Sequence, residues 1–256
     1  IKFYSTAIKS GIKPICGCDV LVENDDGVRS RLVLLVKNHA GYLNLTSLIS
    51  ALYTESVSHQ TGILSQAQLQ GRTEGLIALS GAQVSDIGVA LLGNDSKLAE
   101  SSLTRWCELF PDSFYIELQR VGKHGEEDYI ERAIDLAISN KIPVVATNDV
   151  CFLSKEDFDA HEVRVCINQR STLDDPRRRK NYTEQQYLKT SEEMCDLFED
   201  IPEAIFNSLE IAKRCNLGLE IGTHKSFPSY SPQSCISKTP IGLAFIRQPA
   251  NVGSSM

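Results

Sequence analysis

The stretch from Pro143 to Glu162, PVVATNDVCFLSKEDFDAHE, sets an amide and a carboxylate, Asn148 and Asp149, at the end of a short apolar run. Asp159, His161 and Glu162 follow further along. In α/β proteins, polar side chains just past the C-terminal end of a strand are the usual seat of chemistry. Carboxylate and imidazole together suit Zn or Mn, and bridged metals activate water for phosphoester hydrolysis. The stretch therefore has the residue types of a metal-dependent hydrolase.

Spacing weakens the histidine part. The apolar positions Phe158, Val163, Val165 and Cys166 put His161 and Glu162 on a helix beyond the strand end, where a histidine reads as structural or capping. His39 precedes a helical stretch, His124 falls in a loop, and His59 and His224 carry no pattern. No two histidines stand at i,i+4, so no zinc-helix motif exists. Of the eight cysteines only Cys16 and Cys18 are close, and no second pair makes a zinc site with them. Most of the others sit in apolar patterns such as VRVCI and EEMCDLF, as buried free thiols in a reducing compartment do. The run Arg177, Arg178, Arg179, Lys180 is the one strong basic cluster. A solvated loop is its ordinary reading, and a phosphate-backbone or inter-domain contact its functional one. P-loop, dinucleotide-fingerprint and serine-hydrolase motifs do not occur.

Strand and helix patterns alternate around these residues. Strands are expected near 31–36, 75–80, 113–119 and 143–147. Between and after them lie GYLNLTSLISALY, a helical region from about 86 to 110, EEDYIERAIDLAISN and KEDFDAHEVRVCI. Helical spacers of this length imply βαβ units with right-handed crossovers, in a parallel sheet or a barrel. A polar loop, Asp174 to Tyr182, precedes two more helices, SEEMCDLFED and IPEAIFNSLEIAKRCN. The 34 residues 223–256 are Ser- and Pro-rich without periodicity and are expected to be mostly disordered.

Composition narrows the classes. A chain of 256 residues, 42% hydrophobic and 23% charged, is ordinary for a soluble globular protein. Its net charge of -7 gives no overall basic surface for wrapping nucleic acid. No apolar run approaches the roughly 18 residues of a membrane span, and the first residues lack a signal-peptide core. The absence of an initiator Met leads us to expect a piece of a longer protein.

KFYSTAIKSGIKPICGCDV, LLVKNHAGYLNLTSLIS, EGLIALSG, IPVVATNDVCFLSKEDFDAHEVRVCI, TLDDPRRRKNY and SEEMCDLFEDIPEAIFNSLEIAKRCN are, in this order, similar to the N-terminal region of bacterial replicative DNA polymerase III alpha subunits. The resemblance runs from about Lys2 to Gly222. It implies a partial PHP (polymerase and histidinol phosphatase) domain over 1–222. The implied fold is α/β, a distorted TIM-like (βα)7 barrel lacking its first strand or strands, and with them the family's H-x-H motif. Past Gly222 the resemblance stops, as a change of reading frame would produce.

The resemblance also places a site. Where metal-competent members carry an acidic ligand this chain has Asp19, and where they carry histidines it has Arg31, Val121 and Cys151; Asp149 keeps its carboxylate. A guanidinium cannot ligate a cation. Two carboxylates kept and three imidazoles lost imply a vestigial cleft, with Arg31 pairing Asp19 or Asp149 in place of metal. The implied role is that of a structural and docking domain, in a bacterial cytoplasmic polymerase that copies DNA with Mg. Its implied partners are the rest of the polymerase III core, the proofreading exonuclease subunit, and DNA through the whole protein. No cofactor is expected in this piece. The competing reading is a metal-dependent PHP phosphoesterase or exonuclease.

Overall fold

The computed structural model describes residues 1–24, 26–54, 62–219 and 221. The expected break after Gly222 and the atypical tail at 223–256 lie outside the described residues.

The elements, in chain order, are α1 (Lys2–Lys9), β1 (Gly17–Glu23), β2 (Arg29–Val36), α2 (His39–Thr54), β3 (Ile63–Ser65), α3 (Gln66–Leu69), β4 (Leu76–Leu79), α4 (Asp86–Leu92) and α5 (Ser96–Leu109). They continue with β5 (Phe114–Gln119), α6 (Glu126–Asn140), β6 (Val144–Thr147), α7 (Phe158–Gln169), α8 (Ser191–Leu197) and α9 (Pro202–Arg214). The strands are hydrogen-bonded in the order β3-β1-β2-β4-β5-β6. The protein is thus mixed α/β with a mostly parallel sheet, and the four strands read from the sequence are β2, β4, β5 and β6. Two compact units divide the chain.

The first unit comprises Ile1–Ala78, Arg105–Ser113 and the chain from Ala212 onward. Its centre is an antiparallel pairing not anticipated from the sequence: β1 runs against β2 from Gly17 opposite Leu35 to Glu23 opposite Arg29. The Gly-Cys-Asp start of β1 breaks the apolar alternation that would have announced it. Asn24 shapes the turn, its Oδ1 accepting from the Asp26 and Val28 N–H groups at 3.0 and 2.8 Å. β3 joins β1 in parallel, with Leu21 opposite Ile63. In β2 the even residues Ser30, Leu32, Leu34 and Val36 are buried, Arg31, Val33 and Leu35 are half-buried and Arg29 is exposed, the period of two that a strand imposes. Arg31 therefore shares a face with Val33, opposite which stands Asp19. Helix α2 comes so close to the chain at Gly75 that a Cβ on Gly41 would lie 1.9 Å from the Gly75 carbonyl oxygen.

The second unit comprises Leu79–Thr104 and Phe114–Ile211. β5 is buried at every position, and β6 pairs with it in parallel from Ile116 opposite Val144 to Gln119 opposite Thr147. A strand covered on both faces needs no alternation, which is why FYIELQ reads as a continuous run. Helix α6 buries Tyr129, Ile130, Ala133, Leu136 and Ala137. The helical region expected to run from 86 to 110 is two helices. Gly93 caps α4, Asn94 takes the left-handed conformation at φ 58°, and the Asp95 carboxylate accepts from the Leu98 N–H at the start of α5. No described helix is long and apolar enough to cross a membrane.

Candidate functional site

Asp19 and Arg31 belong to the first unit; Val121, Asp149, Cys151 and the basic run belong to the second. In the first, the β1–β2 register puts Asp19 and Arg31 on one face as a diagonal pair. Arg31 Nε donates to both Asp19 carboxylate oxygens, at 3.0 and 2.8 Å, and Nη2 lies 2.6 Å from Oδ2. The side chains are only 19% and 29% exposed, so the guanidinium is the carboxylate's close counter-charge in a partly dry place. Burial, and then the Asp19 charge, push the neighbouring Cys18 thiol up to about 11, leaving it protonated and a poor metal ligand.

In the second unit Asp149 stands just past β6 in the left-handed conformation, φ 40°. Gln186, fully buried, points its amide at it. Nε2 donates to Asp149 Oδ2 at 2.7 Å, lies 3.2 Å from the Asp149 carbonyl and 3.4 Å from Cys151 Sγ. One amide nitrogen thus occupies the point where three potential ligand atoms converge. Lys123 adds a positive charge 3.6 Å from Asp149 Oδ2. The backbone fixes this arrangement: the Cys151 N–H donates to the Gln186 carbonyl at 2.8 Å, and Phe152 and Tyr187 form a parallel bridge. Asn148 Nδ2 donates to the carbonyls of Gln185 and Tyr187, at 3.2 and 2.6 Å.

Val121 is fully buried. Its N–H and that of Gly122 donate to the Glu126 carboxylate at 2.8–3.1 Å, and the Thr183 hydroxyl donates to its carbonyl. An apolar side chain is locked where the resemblance places a histidine in metal-competent relatives.

The basic run divides. Arg177, Arg179 and Lys180 are exposed, whereas the Arg178 side chain is 5% exposed and paired with Glu162, itself 6% exposed. His161 packs in an aromatic group, with ring centroids 5.4 Å from Phe152 and 4.6 Å from Tyr182. His161 and Glu162 therefore hold the second unit's own loop.

Sequence reasoning did not find Lys123, Gln186, Glu117 or the Glu162–Arg178 pair. Glu117 is buried in β5, accepting from Gln119 Nε2 at 3.0 Å and the Thr147 hydroxyl at 2.5 Å. The signal for Glu117 was present, a carboxylate inside an apolar strand. The others depend on segments 16 to 37 residues apart in the chain meeting one another.

A metal does not fit these donor sets. Asp19 is gripped by a guanidinium, Asp149 by an amide and an ammonium, and Val121 offers no donor. Among the described residues no group of three His, Cys, Asp or Glu is placed to hold an ion.

Residues 1–121 match the family model of the PHP domain. The chain is 48% identical over 226 residues, 88% of its length, to the DNA polymerase III subunit alpha of Pseudomonas aeruginosa. To the subunits of that name from Vibrio cholerae and Escherichia coli K12 it is 46% identical over 234 residues and 45% over 226. These matches cover 90% and 88% of the chain. It spans about a fifth of the length of these curated relatives, 19% of the first and 20% of the other two. The chain carries a PHP domain. Its family is that of the bacterial DNA polymerase III alpha subunits.

Proposed function

We propose that this chain is the PHP-domain portion of a replicative DNA polymerase alpha subunit and that it acts as a structural and docking domain. The whole protein would perform DNA-directed DNA synthesis with Mg in the bacterial cytoplasm, as part of the polymerase III core, with this domain offering a surface to the proofreading exonuclease subunit. The strand order is compatible with a stretch of a (βα)7 barrel. Arg177, Arg179 and Lys180 are the residues we assign to nucleic-acid contact; Arg178 is held by Glu162.

The observation that carries the docking reading is the guanidinium laid across Asp19. A charged side chain there supplies the positive charge that a metal would bring, without a Lewis acid or an activated water. The amide of Gln186 against Asp149 supports the same reading. The alternative, a metal-dependent phosphoesterase or exonuclease, requires both carboxylates to exchange these partners for ions.

The test is a phosphomonoesterase and 3′-exonuclease assay of this chain with Mg, Mn and Zn, beside primer extension by the whole alpha subunit. Extension by the whole subunit, with no hydrolysis by the chain, is expected. Metal-dependent hydrolysis abolished by Asp149→Ala would overturn the docking reading.

A further inference from the structure

The Glu162–Arg178 pair holds the middle of a loop that is tied down at both ends. At its start Arg170 takes the left-handed conformation, φ 54°, and the Ser171 N–H donates to the Cys166 carbonyl of α7 at 3.0 Å. At its end the Thr183 hydroxyl donates to the Val121 carbonyl, the Thr183 N–H donates to Gln186 Oε1 at 2.9 Å, and the Tyr182 ring stands edge-on to His161. Between these ends Asp175 forms the turn that leads into the basic run. Its Oδ1 accepts from the Arg177 N–H at 2.9 Å and its carbonyl from the Arg178 N–H at 3.1 Å. Arg178 then reaches inward, its Nη1 2.5 Å from Glu162 Oε2. Its neighbours Arg177, Arg179 and Lys180 are exposed. Among the described residues no carboxylate pairs with the side chains of these three.

Stability alone does not account for the pair. Two charges are withdrawn from water, and Glu162 Oε1 and Arg178 Nε are buried without a hydrogen-bond partner. Removing one partner would strand the other charge, yet a pair satisfied this incompletely gains little over apolar side chains of the same size. What the pair does fix is where the midpoint of the loop lies.

We infer that Glu162 and Arg178 are positioning residues: the buried pair holds the loop so that Arg177, Arg179 and Lys180 form one array for the phosphates of a nucleic-acid strand. The inference rests on the assignment of those three to nucleic-acid contact. Arg177 to Lys180 span at most about 10 Å of chain. Phosphates follow one another at about 3.4 Å of helix axis along a strand, so the array faces a short run of them. Guanidinium groups match phosphate oxygens in pairs. In a chain of net charge -7 a polyanion is repelled overall and held only where cations are gathered. A loop free to move would have to be ordered on binding, which weakens affinity.

Fluorescence anisotropy of a short labelled DNA duplex titrated with this chain, at several salt concentrations, is the test. Salt-dependent binding is expected. Arg177→Ala and Arg179→Ala should each weaken it about threefold and make the slope of log affinity against log salt shallower by about one contact. Glu162→Gln separates the roles. It removes a negative charge beside the array, so a purely electrostatic role gives tighter binding. Positioning gives binding weakened about threefold or more with the slope unchanged. Circular dichroism checks that the variant is folded. The unaltered chain gives a second reading. Phenylglyoxal followed by mass spectrometry should modify Arg177 and Arg179, the duplex should protect them, and Arg178 should stay unmodified throughout. No binding by the unaltered chain, or binding unchanged in both Arg177→Ala and Arg179→Ala, would overturn the nucleic-acid assignment and the inference with it. Where that binding holds, equal or tighter binding by a folded Glu162→Gln, or modification of Arg178 as fast as its neighbours, would overturn the positioning role alone. Polyglutamate displacing the labelled duplex as well as unlabelled duplex does would reassign the surface to an acidic protein partner and overturn the inference.

Discussion

Arg31 lies across Asp19 with its Nε shared between both carboxylate oxygens, 3.0 and 2.8 Å away, on the half-buried face of the β1–β2 pairing. The two are diagonal neighbours in an antiparallel register, so the strand pairing presents them to each other. Arg31→Ala is expected to destabilise the protein by about 1–2 kcal/mol, since Asp19 is partly solvated and loses its counter-charge. Urea unfolding of Arg31→Ala, Asp19→Asn and the double variant measures the coupling; a coupling energy near zero would refute the pair's importance.

Gln186→Ala should cost about 2–3 kcal/mol, because it removes a buried amide that donates to the Asp149 carboxylate and opens a void. Gln186→Glu should cost more, since it sets a second carboxylate against the first. Chemical denaturation midpoints rank the two. An equal or smaller loss for the glutamate variant would contradict the arrangement.

Gly41→Ala is expected to prevent folding or to lower stability by at least about 3 kcal/mol. The new Cβ would meet the Gly75 carbonyl oxygen at 1.9 Å, and backbone cannot swing away as a side-chain tip can. Gly218→Ala, where a Cβ meets nothing within 4 Å, is the control and should be near neutral.

Acid stability should depend on Asp200 and Glu193. The Arg120 guanidinium, hydrogen-bonded to Asp200, holds that carboxyl below its usual range. The Tyr187 phenol, with the Thr190 N–H, does the same for Glu193. Both groups are depressed in the folded state. Their stabilisation is therefore fully present above the unfolded carboxylate values near about pH 4, and is lost as pH falls through the folded ones. Arg120→Met and Tyr187→Phe should each move the acid unfolding midpoint upward while lowering stability near neutral pH only by a constant offset. An unchanged acid midpoint in both would show that the pairs do not contribute.

Arg178→Ala and Glu162→Gln should each lower the melting temperature more than Arg177→Ala or Arg179→Ala. The first two break a buried pair and the second two remove exposed charges. Differential scanning calorimetry decides, and equal shifts across all four would place Arg178 in solvent with its neighbours.

The sequence by itself determined the elements whose pattern is local. FYIELQ and VVAT are apolar runs bounded by turns, and EEDYIERAIDLAISN carries an apolar stripe at helical spacing, so β5, β6 and α6 were legible nearly to the residue. The family resemblance, which also needs no folding, implied which ligand types are missing at Arg31, Val121 and Cys151. The tertiary structure alone decided what the side chains at these positions touch. Strand β1 was hidden because the residue types of GCDVLVE show no apolar–polar alternation and only a three-residue apolar run, and with it was hidden the diagonal that seats Arg31 on Asp19. Gln186 reaches Asp149 from 37 residues away, and Lys37 meets Ser113 across 76. Arg178 looked like its three basic neighbours until Glu162 was found against it. Periodicity reports which face of an element is buried, and composition reports charge. Neither encodes the partner that a side chain meets once remote segments close on one another, and at these carboxylates and cations the partner sets the chemistry.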